Sequence, residues 1–369
     1  MRANASWRYR NGALKPETVK LSRYAQERDR PVIVGACPRS GTTLLRTMLN
    51  SHPEIGLPRE TRFVLEIWEK RHRFGDLRKP ENRRGVAKWI FRREETNAGR
   101  LGVNKTRAIK RLIDAPPTLG SLLATAFLLY AERFGKSRWG DKRPTYAARM
   151  YVIWDFFPNA QFINMIRDPR ACAASMRKLG WYDGDVAPAV ELWERSIKVV
   201  DRWRRRLAPD QLLELKYEDL VADPATQLAH VTGFTGLAGD DPALESMLHY
   251  YEDDETRNPE YHANVSRPPD PTRVDEWKRM LEPGEVAFIE QALGPLMTRY
   301  GYEPAAESTP APRELFNRLA TQRRKIAWSY RRTSALAHVG KIVELRRPVG
   351  LRPLPPTPPP ATPAPAQNL

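Results

Sequence analysis

The stretch PVIVGACPRSGTTLLRTML, residues 31–49, constrains this chain more than any other. A short apolar run leads into a loop of proline, serine and glycine, and an amphipathic pattern begins near Thr43. Strand, glycine loop and helix, in that order, make a nucleotide site: amides at the helix N-terminus face an anion, and glycine permits its close approach. The phosphate loop of NTPases also places a lysine directly after the glycine, to reach β- and γ-phosphates. Here Gly41 is followed by Thr42 and Thr43, and Arg39 stands before it. The amides around Ser40, Gly41, Thr42 and Thr43 are expected to cradle a single phosphate, with both threonine hydroxyls as added donors. Arg39 is expected to reach the group attached to that phosphate. The plainer reading is a tight turn between a strand and a helix.

Further strands are expected at Gln161–Ile166 and Leu212–Lys216, besides Val32–Gly35 in the first stretch. Between the last two, apolar residues recur at Trp193, Ile197, Val200, Trp203 and Leu207, the spacing of one buried helix face. Strands separated by helices predict an α/β protein. The expected form is a P-loop-like three-layer fold, with a central, mostly parallel sheet flanked by helices. Residues 1–30 read as a polar N-terminal arm, 31–305 as the catalytic domain and 306–350 as a basic helical extension. Residues 351–369, with eight prolines in the last 17 positions, read as a disordered proline-rich tail. The segment Arg71–Arg111, rich in charge and poor in periodicity, is expected to be a partly helical insertion over the sheet edge.

A net charge of +17 attracts anions of every kind without choosing among them. Just over half of the excess lies in Ala311–Leu369, which holds eleven Lys/Arg against two Glu, away from the loop. A basic nucleic-acid- or membrane-binding protein is therefore a competing class. No RRM, KH, zinc-finger or arginine–glycine motif is present, so no nucleic-acid partner is expected. The basic helix over 314–347 could set Ile326, Trp328 and Tyr330 against an anionic membrane, and peripheral contact of that kind is a second expectation. With two cysteines, Cys37 and Cys172, and six scattered histidines, the chain encodes neither a disulfide framework nor a metal site. No metal is expected, since no carboxylate pair stands beside the loop for magnesium. The best apolar run, Ser121–Ala131, is about half of the ~20 residues a spanning helix needs. The N-terminus lacks the apolar stretch of a signal peptide, so the expected compartment is the cytoplasm.

PRSGTT resembles the 5'-phosphosulfate loop of sulfotransferases, which use 3'-phosphoadenosine 5'-phosphosulfate (PAPS). Such a donor has one phosphate to cradle, a sulfuryl group in place of the β-phosphate, and nothing for the missing lysine to hold. The longer string PRSGTTLLRTMLNSHPEI, followed by PRETR, is most similar to the branch containing protein-tyrosine sulfotransferases and bacterial relatives. FINMIRDPRACAASM is similar to a second family motif, in which an arginine and a serine hold the donor's 3'-phosphate; here these are Arg167 and Ser175. A strand-end guanidinium and a nearby helix hydroxyl suit a dianionic phosphate. The plainer role for Arg167 is a surface salt bridge. Asp168-Pro169 reads as an N-cap and first-turn proline. LELKYEDLVADPATQL resembles a third, mostly structural segment, in which Asp223-Pro224 is another cap and Tyr217 either borders the adenine pocket or packs in the core. The resemblance covers roughly residues 31–281.

The resemblance implies sulfuryl transfer to an acceptor hydroxyl by in-line displacement, helped by positioning and cationic stabilisation. It implies Glu60, in PRETRF, as general base; a salt bridge to Arg59 or Arg62 is the plainer role, and His52 the next candidate. It places Lys142, in RWGDKRPTY, after an edge strand and beside the leaving phosphate oxygen, with Arg143 as the alternative. In the late segment NVSRPPDPTRVDEWKRML, Ser266 and Arg267 are matched to a loop that closes over the donor. A glycan, a glycolipid or a small metabolite is the expected acceptor. The enzymatic alternative is a P-loop-type kinase; the missing lysine and the lack of a Walker-B strand ending in aspartate argue against it.

Overall fold

The sheet consists of β1 (Val32–Ala36), β2 (Ile55–Gly56), β3 (Arg138–Lys142), β4 (Gln161–Ile166) and β5 (Leu212–Lys216). In this computed structural model, which describes residues 30–92, 98–179, 182, 184–252, 265–305 and 309–337, their order is β2-β3-β1-β4-β5 and every pairing is parallel. The three strands expected from sequence are present, the first one residue longer. Residues 1–29 of the arm, the end of the extension, the proline-rich tail and the Tyr330 side chain lie outside the described residues.

Successive strand residues face opposite sides of a sheet. Val32, Val34 and Ala36 accordingly join one core with Ile163, Met165 and Leu215, and Ile33 joins another with Phe162. Both faces are covered, which is why β1 reads as an apolar run without alternation. On the first face lie α1 (Thr42–Ser51), which follows β1, and the later helices α9 (Tyr217–Ala222), α10 (Pro224–Thr235) and α11 (Asp241–Leu248). The second face is covered by α5 (Leu119–Glu132) and α6 (Met150–Phe156), with Val200 of α8 (Val186–Arg204). The apolar run Ser121–Ala131 is thus the buried helix α5. Among the described residues no helix is long and apolar enough to cross a membrane.

The charged segment after α2 (Phe63–Lys70) forms α3 (Pro80–Arg92) and α4 (Lys105–Asp114). Val86, Ile90, Ala108 and Leu112 bury themselves in the core that contains α5, and Arg111 pairs with Glu132 at 3.0 Å. Because α5 packs on β2 and β3, the insertion sits one layer outside the sheet edge.

One sequence expectation is corrected. The strand carrying Lys142 is not at the edge: β3 lies between β2 and β1, and all five of its residues are buried. Its charged groups are satisfied from a distance. Arg138 donates to the carbonyls of Arg30 and Thr235 and to Gln161, so its charged group enters the core with partners, whereas the neighbouring Trp139 Nε1 is buried without one among the described residues.

A third core joins α7 (Pro169–Arg177), α8, α12 (Pro283–Arg299) and α13 (Arg313–Ala337). The basic extension therefore begins as a docked helix. Leu315 and Leu319 are buried, Arg323 pairs with Glu194 of α8 at 2.6 Å, and Arg318 pairs with Asp185.

Candidate active site

In an open parallel sheet the ligand crevice lies beyond the C-terminal ends of the strands, where the strand order reverses. Here β1 stands between β3 and β4, and the chain crosses over it. The candidate residues sit at those ends: the loop after β1, Lys142 closing β3, Arg167 following β4 and Tyr217 following β5.

The loop is built by backbone conformation. Arg39, at φ 73°, is the one non-glycine residue in the left-handed region among the described residues, and Gly41 follows at φ 84°. Left-handed turns of this kind aim successive amides into a common hollow. Gly41 is also the N-cap of α1; no side chain caps that end and no acidic residue lies in its first turn. The first amides of α1 are thus left for an anion, which the helix dipole also favours. Any side chain at position 41 would strike the ring of Tyr217, which lies across the glycine.

Two groups of side chains flank this hollow. In the first, Arg39 Nε donates to Ser175 Oγ at 3.0 Å, and Arg167 Nη1 donates to the Arg39 carbonyl at 3.0 Å. The Arg167 guanidinium lies 4.3 Å from the centroid of Tyr217, and its Nε is buried with no hydrogen-bond partner among the described residues. Neither arginine is paired with a carboxylate among the described residues. Burial, and then the charge of Arg167, hold Arg39 below the usual guanidinium range. Two neighbouring cations, an orphaned donor and a serine hydroxyl fit a phosphate dianion.

The second group holds the carboxylate. Lys142 Nζ donates to Thr43 Oγ1 and to Glu60 Oε2, each at 3.3 Å. Arg143 Nε lies 3.8 Å from Glu60 Oε1, and Arg100 Nη1 of the insertion donates to the Glu60 carbonyl at 2.8 Å. Lys142 is buried, whereas the Glu60 side chain is 36% exposed, so the carboxylate is the group a second substrate can reach. Burial holds the Lys142 ammonium below its usual range, with Glu60 opposing that shift. The chain reaches this position because β2 pairs with β3, Ile55 opposite Arg138 and Gly56 opposite Trp139, which returns 57–60 to the end of β3.

Not every expected residue joins these groups. Ser40 is buried, with its Oγ 3.4 Å from Cys172 Sγ, so its main chain and not its hydroxyl faces the hollow. His52 is buried; its Nδ1 accepts from the Glu54 amide at 3.1 Å, leaving Nε2 to donate to the Ala238 carbonyl at 2.9 Å. Both ring nitrogens are thus engaged away from the loop. Asp168 and Asp223 cap their helices through the amides of Arg170 and Thr226. Arg267 is exposed, and its guanidinium has no partner among the described residues; its carbonyl accepts from Tyr250 Oη at 2.6 Å. Ser266 lies beside it. In the same late segment it is Arg273 whose charge acts on Arg39. Sequence reasoning passed over Arg273 and Arg100, since no local pattern separates them from the many surface arginines.

A phosphate loop without its lysine, flanked by a cation pair and a carboxylate–lysine pair on a parallel sheet, defines a transferase of P-loop-like fold. The profile of the sulfotransferase family matches residues 31–241, more than half of the chain. The chain belongs to that family, and it is a PAPS-dependent sulfotransferase. It is 27% identical over 281 residues to protein-tyrosine sulfotransferase A of Caenorhabditis elegans, spanning 74% of this chain and 68% of that protein. It is also 27% identical over 186 residues to the omega-hydroxy-beta-dihydromenaquinone-9 sulfotransferase of Mycobacterium bovis, spanning 47% and 43% respectively. The solved sulfotransferase domain of the Synechococcus PCC 7002 olefin synthase shares the fold, with a TM-score of 0.52, 24% identity, and coverage of 74% of this chain and 96% of that one.

Proposed function

We propose that the enzyme moves the sulfuryl group of PAPS onto an acceptor hydroxyl by in-line displacement, with Glu60 as general base. The observation that carries this reading is the Glu60–Lys142 pair beside Thr43, at the rim of the phosphate loop. Glu60 takes the hydroxyl proton as the acceptor oxygen bonds to sulfur. The bond from sulfur to the 5'-phosphate oxygen breaks, and that oxygen leaves with the electron pair as part of adenosine 3',5'-bisphosphate. Lys142, released from Glu60 as the carboxylate is protonated, neutralises the departing oxygen. Amides of Gly41, Thr42 and Thr43 hold the 5'-phosphate, while Arg167, Ser175 and Arg39 hold the 3'-phosphate. That placement gives Arg39 the opposite end of the donor from the one its sequence position implied, because its side chain bonds to Ser175. Tyr217 backs the glycine and the Arg167 guanidinium, and Ser266 and Arg267 belong to the segment that closes over the donor.

For the acceptor we propose a hydroxyl of a glycan, glycolipid or small metabolite. Similarity to a sulfotransferase named for a quinol lipid supports this. A protein tyrosine is the second reading, favoured by the longer match to a protein-tyrosine sulfotransferase. Incubating the enzyme with sulfur-labelled PAPS and a lysate of its host is expected to label one acceptor class. Labelling should survive EDTA, since the charge that neutralises the departing oxygen is that of Lys142. No labelling from PAPS, beside magnesium-dependent transfer of a labelled γ-phosphoryl group from ATP, would support the kinase instead.

A further inference from the structure

Behind the Glu60–Lys142 pair lies a carboxyl group that the reaction does not use. Asp141 is 1% exposed. Tyr146, itself fully buried, donates its hydroxyl to Asp141 Oδ2, and Thr61 Oγ1 lies 3.5 Å from each carboxylate oxygen. Thr61 directly follows Glu60, and Asp141 directly precedes Lys142. Two consecutive residues of one segment are thus tied to two consecutive residues of another: Glu60 to Lys142, and Thr61 to Asp141. Side chains alternate faces along a strand, so the two ties grip the end of β3 from opposite sides. The Thr61 tie anchors the segment from inside the core, while Arg100 holds the Glu60 carbonyl from the surface and Lys142 and Arg143 hold its carboxylate.

A core position with no other task has no need of an acid here, because burial opposes its charge. We propose that Asp141 is a positioning residue for sulfuryl transfer, holding Glu60 against Lys142 through Thr61. The inference rests on the assignment of Glu60 as base. Around Asp141 stand Tyr146 from the 3-10 segment Pro144–Arg149, Thr61 and Glu60 from the return loop, and Lys142 and Arg143 at the end of its own strand. Burial pushes the Asp141 carboxyl up to about 7, against the bonds it accepts from Tyr146 and the Lys142 amide. As pH rises through that value the carboxylate ionises, and the bonds it accepts from Thr61 and Tyr146 become charge-assisted and stronger. As pH falls the acid is neutral, and the latch loosens.

Reductive methylation of Lys142, with formaldehyde and borohydride and readout by mass spectrometry, tests this without any acceptor. The comparison is between the wild type, Glu60→Gln, Asp141→Asn and Thr61→Val, with adenosine 3',5'-bisphosphate binding reporting that each variant is folded. Normalised to the exposed lysines of the same sample, Lys142 is expected to react about tenfold faster in all three variants than in the wild type, the effect of losing one charge-assisted bond. The wild-type rate relative to that of Glu60→Gln should break near pH 7, and Asp141→Asn should lack the break. Thr61→Val keeps the proposal falsifiable if the aspartate variant does not fold. Wild-type rates in the Asp141 and Thr61 variants, beside a raised rate in Glu60→Gln, would overturn the positioning role. So would a break that persists in Asp141→Asn, or a Glu60→Gln rate equal to the wild type. Failure of the base assignment has a different signature, namely normal turnover in Glu60→Gln.

Discussion

Replacing Glu60 with glutamine is expected to lower turnover by roughly 10²–10⁴-fold, about 3–5 kcal/mol of barrier, while leaving donor affinity nearly unchanged. Glutamine keeps the size of the side chain and can accept one hydrogen bond from Lys142, but it cannot take the acceptor's proton. The carboxylate faces Lys142 and Arg143, not the Arg39–Arg167 end, so the 3'-phosphate contacts should survive. The measurement is turnover with the identified acceptor beside a titration of adenosine 3',5'-bisphosphate on the same protein. Normal turnover would move the base elsewhere, and His52 is poorly placed to inherit the role because both its ring nitrogens are bonded in the core. Lost donor binding or unfolding would make Glu60 a structural partner of Lys142.

Replacing Arg167 with alanine is expected to weaken adenosine 3',5'-bisphosphate by roughly 10–100-fold, the value of one or two charge-assisted bonds. Ligand at 100 times its dissociation constant stabilises the native state by about 2.7 kcal/mol, and the same concentration after a hundredfold loss gives about 0.4 kcal/mol. A tenfold loss leaves about 1.4 kcal/mol, so the ligand-induced rise in melting temperature should fall to between about half and about a sixth of its wild-type value. The shift is the quantity to compare, because Arg167 also donates to the Arg39 carbonyl and its removal is expected to lower the unliganded melting temperature as well. Arg167→Lys keeps a charge without the planar fork and should fall between the two. An unchanged shift in the alanine variant would remove Arg167 from the 3'-phosphate site.

The sequence made the loop legible because its chemistry is local: the strand, the left-handed glycine and the helix start are contiguous, and backbone amides form the site. The same holds for β4, Arg167 and the Asp168 cap. The strand β3 was harder to read, since Arg138, Asp141 and Lys142 break any apolar pattern and are satisfied by partners such as Thr235, Gln161, Tyr146 and Glu60. The meeting of Glu60 with Lys142 depends on two residues of β2, too short a strand to leave a periodic signal. The reach of Arg39 to Ser175 spans 136 positions, and nothing beside Arg39 in the chain announces it. Likewise the docking of α13 on α8 is set by tertiary pairs, whereas its helical period alone announced only a basic extension.

A crystal structure of the enzyme with adenosine 3',5'-bisphosphate tests the central assignment most directly. The 5'-phosphate is expected on the amides of Gly41, Thr42 and Thr43, and the 3'-phosphate within hydrogen-bonding distance of Arg167 and Ser175. The free 5'-phosphate oxygen should point toward Lys142 and Glu60. A nucleotide bound with its 5'-phosphate away from the loop, or with Glu60 and Lys142 remote from that oxygen, would contradict the account.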